Sequence, residues 1–113
     1  MKIKTSEAKD QVLDCLVAKC EGIETKNYSG ALTIRYDGDW WQPSTDWAQG
    51  GPIIEREKIG FKYTGTGLEF VAWVNGELCT AHDQYGPTPL IAAMRCYVAS
   101  KLGDEVEVPD DLK

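Results

Sequence analysis

The sequence predicts an α+β fold, in which an antiparallel sheet of three or four strands packs against one helix near each end of the chain. Two patterns predict it: apolar residues recur every three or four positions near both ends, and short apolar runs alternate with turn residues between them. The length of 113 residues suits one domain with its own hydrophobic core. We therefore expect one compact domain at 1–103, with short helical structure at about 44–58, followed by an acidic tail at 104–113.

The first predicted helix covers residues 6–20. Thr5 or Ser6 can cap its first turn, and Gly22 can end it in a left-handed conformation. The apolar positions that share one face, and are expected in the core, are Val12, Leu13, Leu16, Val17 and Cys20. The charged positions expected to face solvent are Glu7, Lys9, Asp10, Asp14 and Lys19.

The middle of the chain begins with a predicted strand at 31–36 and an Asp-Gly-Asp turn at 37–39. Trp40 and Trp41 follow directly. Since neighbouring side chains of an extended chain point to opposite sides, we expect one indole in the core and the other partly exposed.

Three further strands are predicted at 61–63, 68–74 and 78–81. The second and third are separated by Asn75-Gly76, which is the strongest short signal for a hairpin. Gly-Thr-Gly at 65–67 is interpreted as a turn, because the third glycine of a dinucleotide fingerprint is missing. The strand at 68–74 has one apolar face and one mixed face, so both faces are expected to be partly covered.

The last predicted helix begins after Thr88, which is placed to cap it, has Pro89 in its first turn and ends at Gly103. Residues 86–89 can form either a rigid rim beside the segment 43–52 or a stiff connection between the sheet and this helix. The predicted apolar stripe consists of Leu90, Ile91, Met94, Tyr97, Val98 and Leu102.

The segment 43–52 reads Pro-Ser-Thr-Asp-Trp-Ala-Gln-Gly-Gly-Pro. Its capping hydroxyls, carboxylate, indole and glycines lie within ten residues, which suggests a binding site. Ser44 or Thr45 is predicted to cap a short helix with Asp46 in its first turn, and the glycines at 50–51 are predicted to break that helix. Pro52 then suits the start of a second short helix.

Two helix starts within ten residues would offer free amide groups to an anion, and nearby indoles could stack on a planar group. The opposing interpretation is that caps and glycines only change the direction of the chain. The residues predicted to bind a ligand or partner are Trp40, Trp41, Ser44, Thr45, Asp46, Trp47, Gln49, Gly50 and Gly51.

The four cysteines contain no Cys-x-x-Cys pair and are interpreted as reduced, mostly buried thiols. A competing hypothesis joins Cys15, Cys20, Cys79 and His82 in a zinc site. Residues five apart on a helix point in different directions, which disfavours that site. We therefore expect neither a metal nor another cofactor.

The net charge of −6 is concentrated at the end of the chain, where 104–113 hold five acidic residues and one lysine. We expect this tail to be solvated and poorly ordered. No cluster of Lys and Arg is present, so direct binding to nucleic acid is not expected, and mimicry of nucleic acid would need denser carboxylates. Apolar runs are too short for a membrane span, and 1–4 are followed by polar residues rather than a secretory signal, so the cytosol is expected.

Three segments resemble the NinX-like proteins of tailed phages and prophages: 43–57, 86–95 (Gly-Pro-Thr-Pro-Leu-Ile-Ala-Ala-Met-Arg) and 103–109 (Gly-Asp-Glu-Val-Glu-Val-Pro). More remotely, the order of elements is similar to the phage alpha-beta-alpha sandwich domain proteins, where we expect a continuous helix at the position of the double glycine. The NinX resemblance implies an accessory protein made in the cytoplasm of an infected bacterium. It implies no activity.

Three hypotheses for function follow. The leading one is a non-enzymatic accessory protein that binds a host or phage protein, because clustered Trp and Tyr are typical of interfaces. The second is capture of a nucleotide-like or anionic small ligand at 44–51. The third is an enzyme that uses Asp46, His82, Asp83 and Tyr85 for acid–base chemistry. The sequence sets neither the oligomeric state nor the identity of a partner.

Overall fold

The computed structural model describes residues 2–8, 10–22, 26–28, 31–33, 35–36, 39–40, 42–65, 69–74 and 84–107. The helices of this part are α1 (Asp10–Glu21), α2 (Trp47–Glu57) and α3 (Pro89–Leu102), with a 3-10 turn at Thr5–Glu7. The strands are β1 (Lys2–Lys4), β2 (Lys26–Tyr28), β3 (Ala31–Thr33), β4 (Arg35–Tyr36), β5 (Asp39–Trp40), β6 (Gly60–Tyr63), β7 (Phe70–Trp73), β8 (Gln84–Gly86) and β9 (Glu105–Glu107). The predicted α+β class is confirmed.

The main sheet is antiparallel with the order β6-β7-β8, and α3 packs across it. Phe61 pairs with Ala72, and Ala72 pairs with Gln84. Val71 and Ala72 are both buried, which confirms that both faces of this strand are covered. The third strand is Gln84–Gly86, which the sequence did not predict as a strand. The predicted strand at 78–81 and the Asn75-Gly76 turn lie outside the described residues.

Helix α3 lies at the centre of the fold and contacts the sheet, α1 and α2. Its predicted boundaries are confirmed, because Thr88 caps it and Gly103 follows its last turn with φ 93°. The predicted stripe is wrong at Leu102, which is 36% exposed. Because elements cover α3 on several sides, its small residues are buried as well, namely Ala92, Ala93, Cys96 and Ala99.

Helix α1 presents Leu13, Leu16 and Val17 to the core, as predicted, and Gly22 follows it with φ 75°. The helix begins at Asp10 rather than at residue 6. Thr5 does not cap it, since the Thr5 hydroxyl donates to the Gly103 carbonyl at 2.7 Å.

The chain ends of the described structure meet in a two-stranded ladder of β1 and β9. Lys2 pairs with Glu107 and Lys4 with Glu105, so opposite charges face each other across the strands. Val106 is 4% exposed and belongs to the core. The prediction of a poorly ordered, solvated tail is therefore wrong at 105–107, while 108–113 lie outside the described residues.

Two short hairpins connect α1 to α2. β2 pairs with β3, and β4 pairs with β5, with Tyr36 opposite Asp39. This register agrees with the predicted chain reversal between those two residues. Trp40 lies in β5, and Trp41 lies outside the described residues.

Helix α2 is one continuous helix, so the prediction of two short helices broken by the double glycine is wrong. A Cβ atom on Gly50 would lie 2.5 Å from Leu90 Cδ1 and 2.5 Å from the Pro43 carbonyl oxygen. Gly51 precedes Pro52, and its missing Cβ relieves the clash that proline imposes on a helical residue before it. The first glycine therefore permits close packing, and the second permits a proline inside the helix.

Candidate functional site

The starts of α2 and α3 meet at a cleft of about 190 Å³. Ser44 and Leu90 form its buried floor, with exposed fractions of 1% and 2%. Thr45, Trp47 and Thr88 are exposed at its rim, and Ile91 completes the lining. Thr88 thus lies beside the segment 43–52, as the rim interpretation of 86–89 predicts.

Asp46 is the residue that caps α2. Its Oδ1 accepts a hydrogen bond from the Ala48 amide at 2.9 Å, and its carbonyl oxygen accepts from Gln49 and Gly50. The prediction that Ser44 or Thr45 serves as the cap is wrong. Pro43, Ser44 and Thr45 instead form the turn before the helix.

Amide groups in the first turn of α3 find hydrogen-bond partners in a similar way. Thr88 Oγ1 accepts from the Ile91 amide at 3.1 Å, and the Thr88 carbonyl oxygen accepts from the Ala92 amide at 3.0 Å. Pro89 has no amide hydrogen to offer. The caps therefore occupy amide groups at both helix starts, and the Asp46 carboxylate adds a negative charge to one of them.

Ser44 is held in the floor of the cleft through its backbone. Its amide donates to Asp14 Oδ1 on α1 at 2.9 Å, and Asp14 is only 6% exposed. The prediction that Asp14 faces solvent is wrong. One signal was available: Asp14 lies next to Leu13 and three residues before Val17, at the edge of the apolar stripe. The Ser44 Oγ itself is buried and has no hydrogen-bond partner among the described residues.

The structure divides the predicted binding residues into three groups. Ser44, Thr45 and Trp47 line the cleft, whereas Asp46, Gln49 and Gly50 do not. Asp46 caps α2, and the Gln49 side chain accepts from the Gln42 amide at 2.6 Å. Gly51 has open space around it, and Trp41 lies outside the described residues, as does the side chain of Trp40. Leu90 and Ile91 line the cleft although the sequence did not single them out for a site, and it offered Thr88 only within the rim interpretation of 86–89.

A second feature beside the cleft is a row of four aromatic side chains, called here the aromatic surface: Trp47, Phe61, Tyr63 and Phe70. Trp47 is 50% exposed, Phe61 37% and Tyr63 50%. The Trp47 and Phe61 ring centroids are 6.0 Å apart, and those of Tyr63 and Phe70 are 5.3 Å apart. Phe61 and Tyr63 lie two residues apart on β6 and therefore share one face of the sheet.

Comparison with protein-family models decides the family. The model described as "Bacteriophage P22, NinX" matches residues 4–101, which include the cleft and the aromatic surface. The chain belongs to the NinX family. A comparison with curated proteins finds no match. Family membership makes the chain a phage accessory protein and confirms the resemblance carried by the motifs at 43–57 and 86–95.

In this NinX-family chain, a cluster of polar side chains joins all three helices. We call it the inter-helix cluster, and it consists of Glu21, Arg56, Glu57, Tyr97 and Lys101. Arg56 of α2 binds Glu21 of α1 through two hydrogen bonds of 3.1 and 2.6 Å. The Tyr97 hydroxyl of α3 donates a hydrogen bond to the Glu21 carboxylate and accepts one from the Arg56 guanidinium at 3.2 Å. Glu57 accepts from Arg56 at 2.9 Å and pairs with Lys101 at 3.3 Å.

The environment shifts the pKa values of this cluster. Burial raises the pKa of the Tyr97 hydroxyl, and its hydrogen bond to Glu21 raises it further, so the hydroxyl stays protonated and donates. Burial also raises the pKa of the nearby Cys20 thiol to about 11. A thiol with a raised pKa is a poor nucleophile and a poor metal ligand.

Metal ligation can be judged only in the described part of the chain. There, no three His, Cys, Asp or Glu side chains are grouped so that they could hold an ion. Cys79 and His82 of the zinc hypothesis lie outside it. Within the same residues, no helix combines the length and the apolar character needed to cross a membrane.

Acid is expected to destabilise the wild-type protein more than the Glu21→Gln variant. Burial acts to raise the pKa of Glu21, but hydrogen bonds from Arg56 and Tyr97 outweigh it, and the net pKa is lowered. A carboxylate with a lowered folded-state pKa contributes stability above its unfolded pKa of about 4.3, and this contribution is lost as pH falls through the folded value.

The measurement is thermal unfolding of both proteins between about pH 7 and about pH 3. The melting temperature of the wild type should exceed that of Glu21→Gln at neutral pH, and the difference should shrink on acidification. A difference that stays constant over the whole range would show that Glu21 is not held as a stabilised carboxylate.

Proposed function

We propose that this protein is a non-enzymatic phage accessory protein that binds a host or phage protein in the cytoplasm of the infected bacterium. The observation that carries the proposal is the aromatic surface. Aromatic side chains are enriched at the centres of protein interfaces, where they contribute a large share of the binding energy. Trp47, Phe61 and Tyr63 stand between 37% and 50% exposed on one contiguous region.

The aromatic surface is held on rigid elements. Trp47 lies in the first turn of a capped helix, and Phe61 and Tyr63 lie on a strand whose four residues all pair with β7. Rings that are already positioned lose little conformational entropy when a partner binds. This arrangement favours recognition of a folded protein surface.

β6 also supports the proposal through its backbone. Among the described strands it pairs with β7 alone, so it forms an edge of the three-stranded sheet. Edge strands present unpaired amide and carbonyl groups that an extended segment of a partner can bind. A partner could thus use backbone hydrogen bonds and aromatic contacts together.

The residues proposed for acid–base chemistry give the enzyme hypothesis less support than the aromatic surface gives the binding hypothesis. The Asp46 carboxylate is engaged as the cap of α2, and Tyr85 does not line the cleft. His82 and Asp83 lie outside the described residues. Binding is therefore the function that the described geometry favours.

The test is site-specific crosslinking in living bacteria. A photo-crosslinkable phenylalanine is placed at position 63, and matched controls carry it at the exposed positions of Glu55 and Glu105. We expect a discrete adduct with one protein at position 63 and none at the controls. Comparing infected with uninfected cells shows whether the partner is encoded by the phage or by the host.

A competition experiment distinguishes crosslinking to a specific partner from crosslinking to proteins met by random collision. Excess wild-type protein should suppress the adduct, whereas a competitor with Phe61→Ser and Tyr63→Ser should be at least about 25-fold weaker, as the loss of an interface hot spot predicts. Equal adducts at all three positions, or suppression by both competitors alike, would contradict the proposal.

A further inference from the structure

We propose that the cleft between the starts of α2 and α3 binds a small, uncharged, planar ring that carries a hydrogen-bond acceptor, of the nucleobase or nucleoside class. Buried Ser44 would bind the acceptor, and the half-exposed Trp47 indole would stack on the ring. This site shares Trp47 with the aromatic surface but does not include Phe61 or Tyr63. It also narrows the second hypothesis from the sequence, a nucleotide-like or anionic ligand at 44–51, to an uncharged ligand.

The size of the cleft limits the ligand. Its volume of about 190 Å³ is below the roughly 300–1,000 Å³ typical of pockets for drug-sized molecules. One single or fused ring system fits such a space, and a folded peptide does not. A sugar attached to the ring would extend past the exposed rim.

The apolar lining suits a ring. Leu90 is 2% exposed and lies at the bottom, Ile91 is partly buried, and Trp47 stands at the rim with half of its surface free. A half-exposed indole at the rim of a cleft can stack on a base.

The Ser44 hydroxyl is the group that points to a ligand. A buried polar atom without a partner destabilises the folded protein, so native proteins keep few of them. Ser44 is 1% exposed and lines the cleft, and in the part of the chain that the structure describes its Oγ has no hydrogen-bond partner. Thr88 Oγ1 accepts from the Ile91 amide and keeps its own hydrogen for donation. The cleft therefore offers the Thr88 hydroxyl as a donor, and a change of the Ser44 χ1 rotamer would turn its Oγ, which is closed to solvent, toward a ligand.

The charges around the cleft disfavour an anion. Neither Lys nor Arg is among the six lining residues, and the Asp46 carboxylate occupies the start of α2. The amides of Ala48, Ile91 and Ala92 are taken by the two caps. A phosphate would meet the negative charge of Asp46 and no positive charge among the lining residues. A neutral ring would give up little hydration free energy when it enters the cleft.

The test is titration of the ¹⁵N-labelled full chain with adenosine, guanosine, cytidine and uridine, and separately with inorganic phosphate. We expect saturable amide shifts at 44–48, 88 and 90–92 with at least one nucleoside and none with phosphate. Ser44→Ala should weaken binding about 2- to 10-fold, the loss expected for one hydrogen bond. Trp47→Ala should weaken it about 5-fold or more, the loss expected for one stacked base.

Two control variants make the result specific. Ser6→Ala removes an exposed hydroxyl outside the lining, and Tyr63→Ser alters the aromatic surface only; both should bind the nucleoside as the wild type does. If Ser44→Ala does not fold, Trp47→Ala carries the test, because its ring is half exposed. Absence of saturable shifts with all four nucleosides, or shifts that phosphate reproduces, or affinity unchanged in Trp47→Ala, would overturn the proposal.

Discussion

Gly50→Ala is expected to destabilise the protein by about 3 kcal/mol, near the upper end of the usual cost of overpacking. The added methyl group would lie 2.5 Å from Leu90 Cδ1 and 2.5 Å from the Pro43 carbonyl oxygen. The leucine can move by changing rotamer, but the carbonyl belongs to the backbone of the turn that places Ser44 in the cleft. Relief of the clash therefore requires α2 to move away from both α3 and this turn.

Gly51→Ala is the matched control, since a methyl group there meets nothing within 4 Å apart from its chain neighbours. Alanine raises helix propensity by about 1 kcal/mol, and its contact with Pro52 opposes that gain, so the net change should stay within about 1 kcal/mol.

Equilibrium unfolding in urea measures both glycine variants. A lower midpoint with an unchanged slope is expected for Gly50→Ala alone. Similar midpoints for the two variants would contradict the close approach of α2 to Leu90.

Tyr97→Ala is expected to cost about 3–5 kcal/mol, the range for removing a large aromatic ring from a core. Tyr97 is 2% exposed at the centre of α3, and its ring lies 5.8 Å from the Arg56 guanidinium. The substitution removes this packing and also the hydroxyl that joins α3 to Glu21 of α1.

Tyr97→Phe separates the two contributions. It keeps the ring and removes only the hydroxyl, so we expect a loss of about 1.5–3 kcal/mol, the range for a hydrogen bond to a charged group. The same urea experiment measures both variants. The loss in free energy of unfolding should be clearly smaller for Tyr97→Phe than for Tyr97→Ala. A clearly smaller cost of Tyr97→Phe in a Glu21→Ala background would confirm that Glu21 is the partner. A Tyr97→Phe protein as stable as the wild type would show that the inter-helix cluster contributes no stability through this bond.

The elements that sequence reasoning predicted well are those whose signals lie within a few residues of each other. Thr88, Pro89 and Gly103 mark the ends of α3 by local capping chemistry. Gly22 marks the end of α1 in the same way. The apolar spacing of α1 likewise predicted which side of that helix faces the core.

The predictions that failed depend on partners far along the chain. A double glycine followed by proline has the local character of a helix break. Gly50 is in fact required because Leu90, forty residues later, packs against it. Asp14 was predicted to face solvent because its partner, the Ser44 amide, lies thirty residues away. Glu105–Glu107 form a strand only because β1, at the opposite end of the chain, supplies the other half of the ladder.

The candidate site shows the same division. The sequence by itself determined the family, the α+β class and the interest of the segment 43–52, because family motifs, hydrophobic periodicity and capping residues are local properties of the chain. Only the tertiary structure decided that Thr88 and Leu90 complete the cleft, that Asp46 rather than Ser44 caps α2, and that the Ser44 hydroxyl is buried without a partner in the described part of the chain. The physical reason is that burial and hydrogen-bond satisfaction depend on which distant segments pack together, and no local pattern records that pairing.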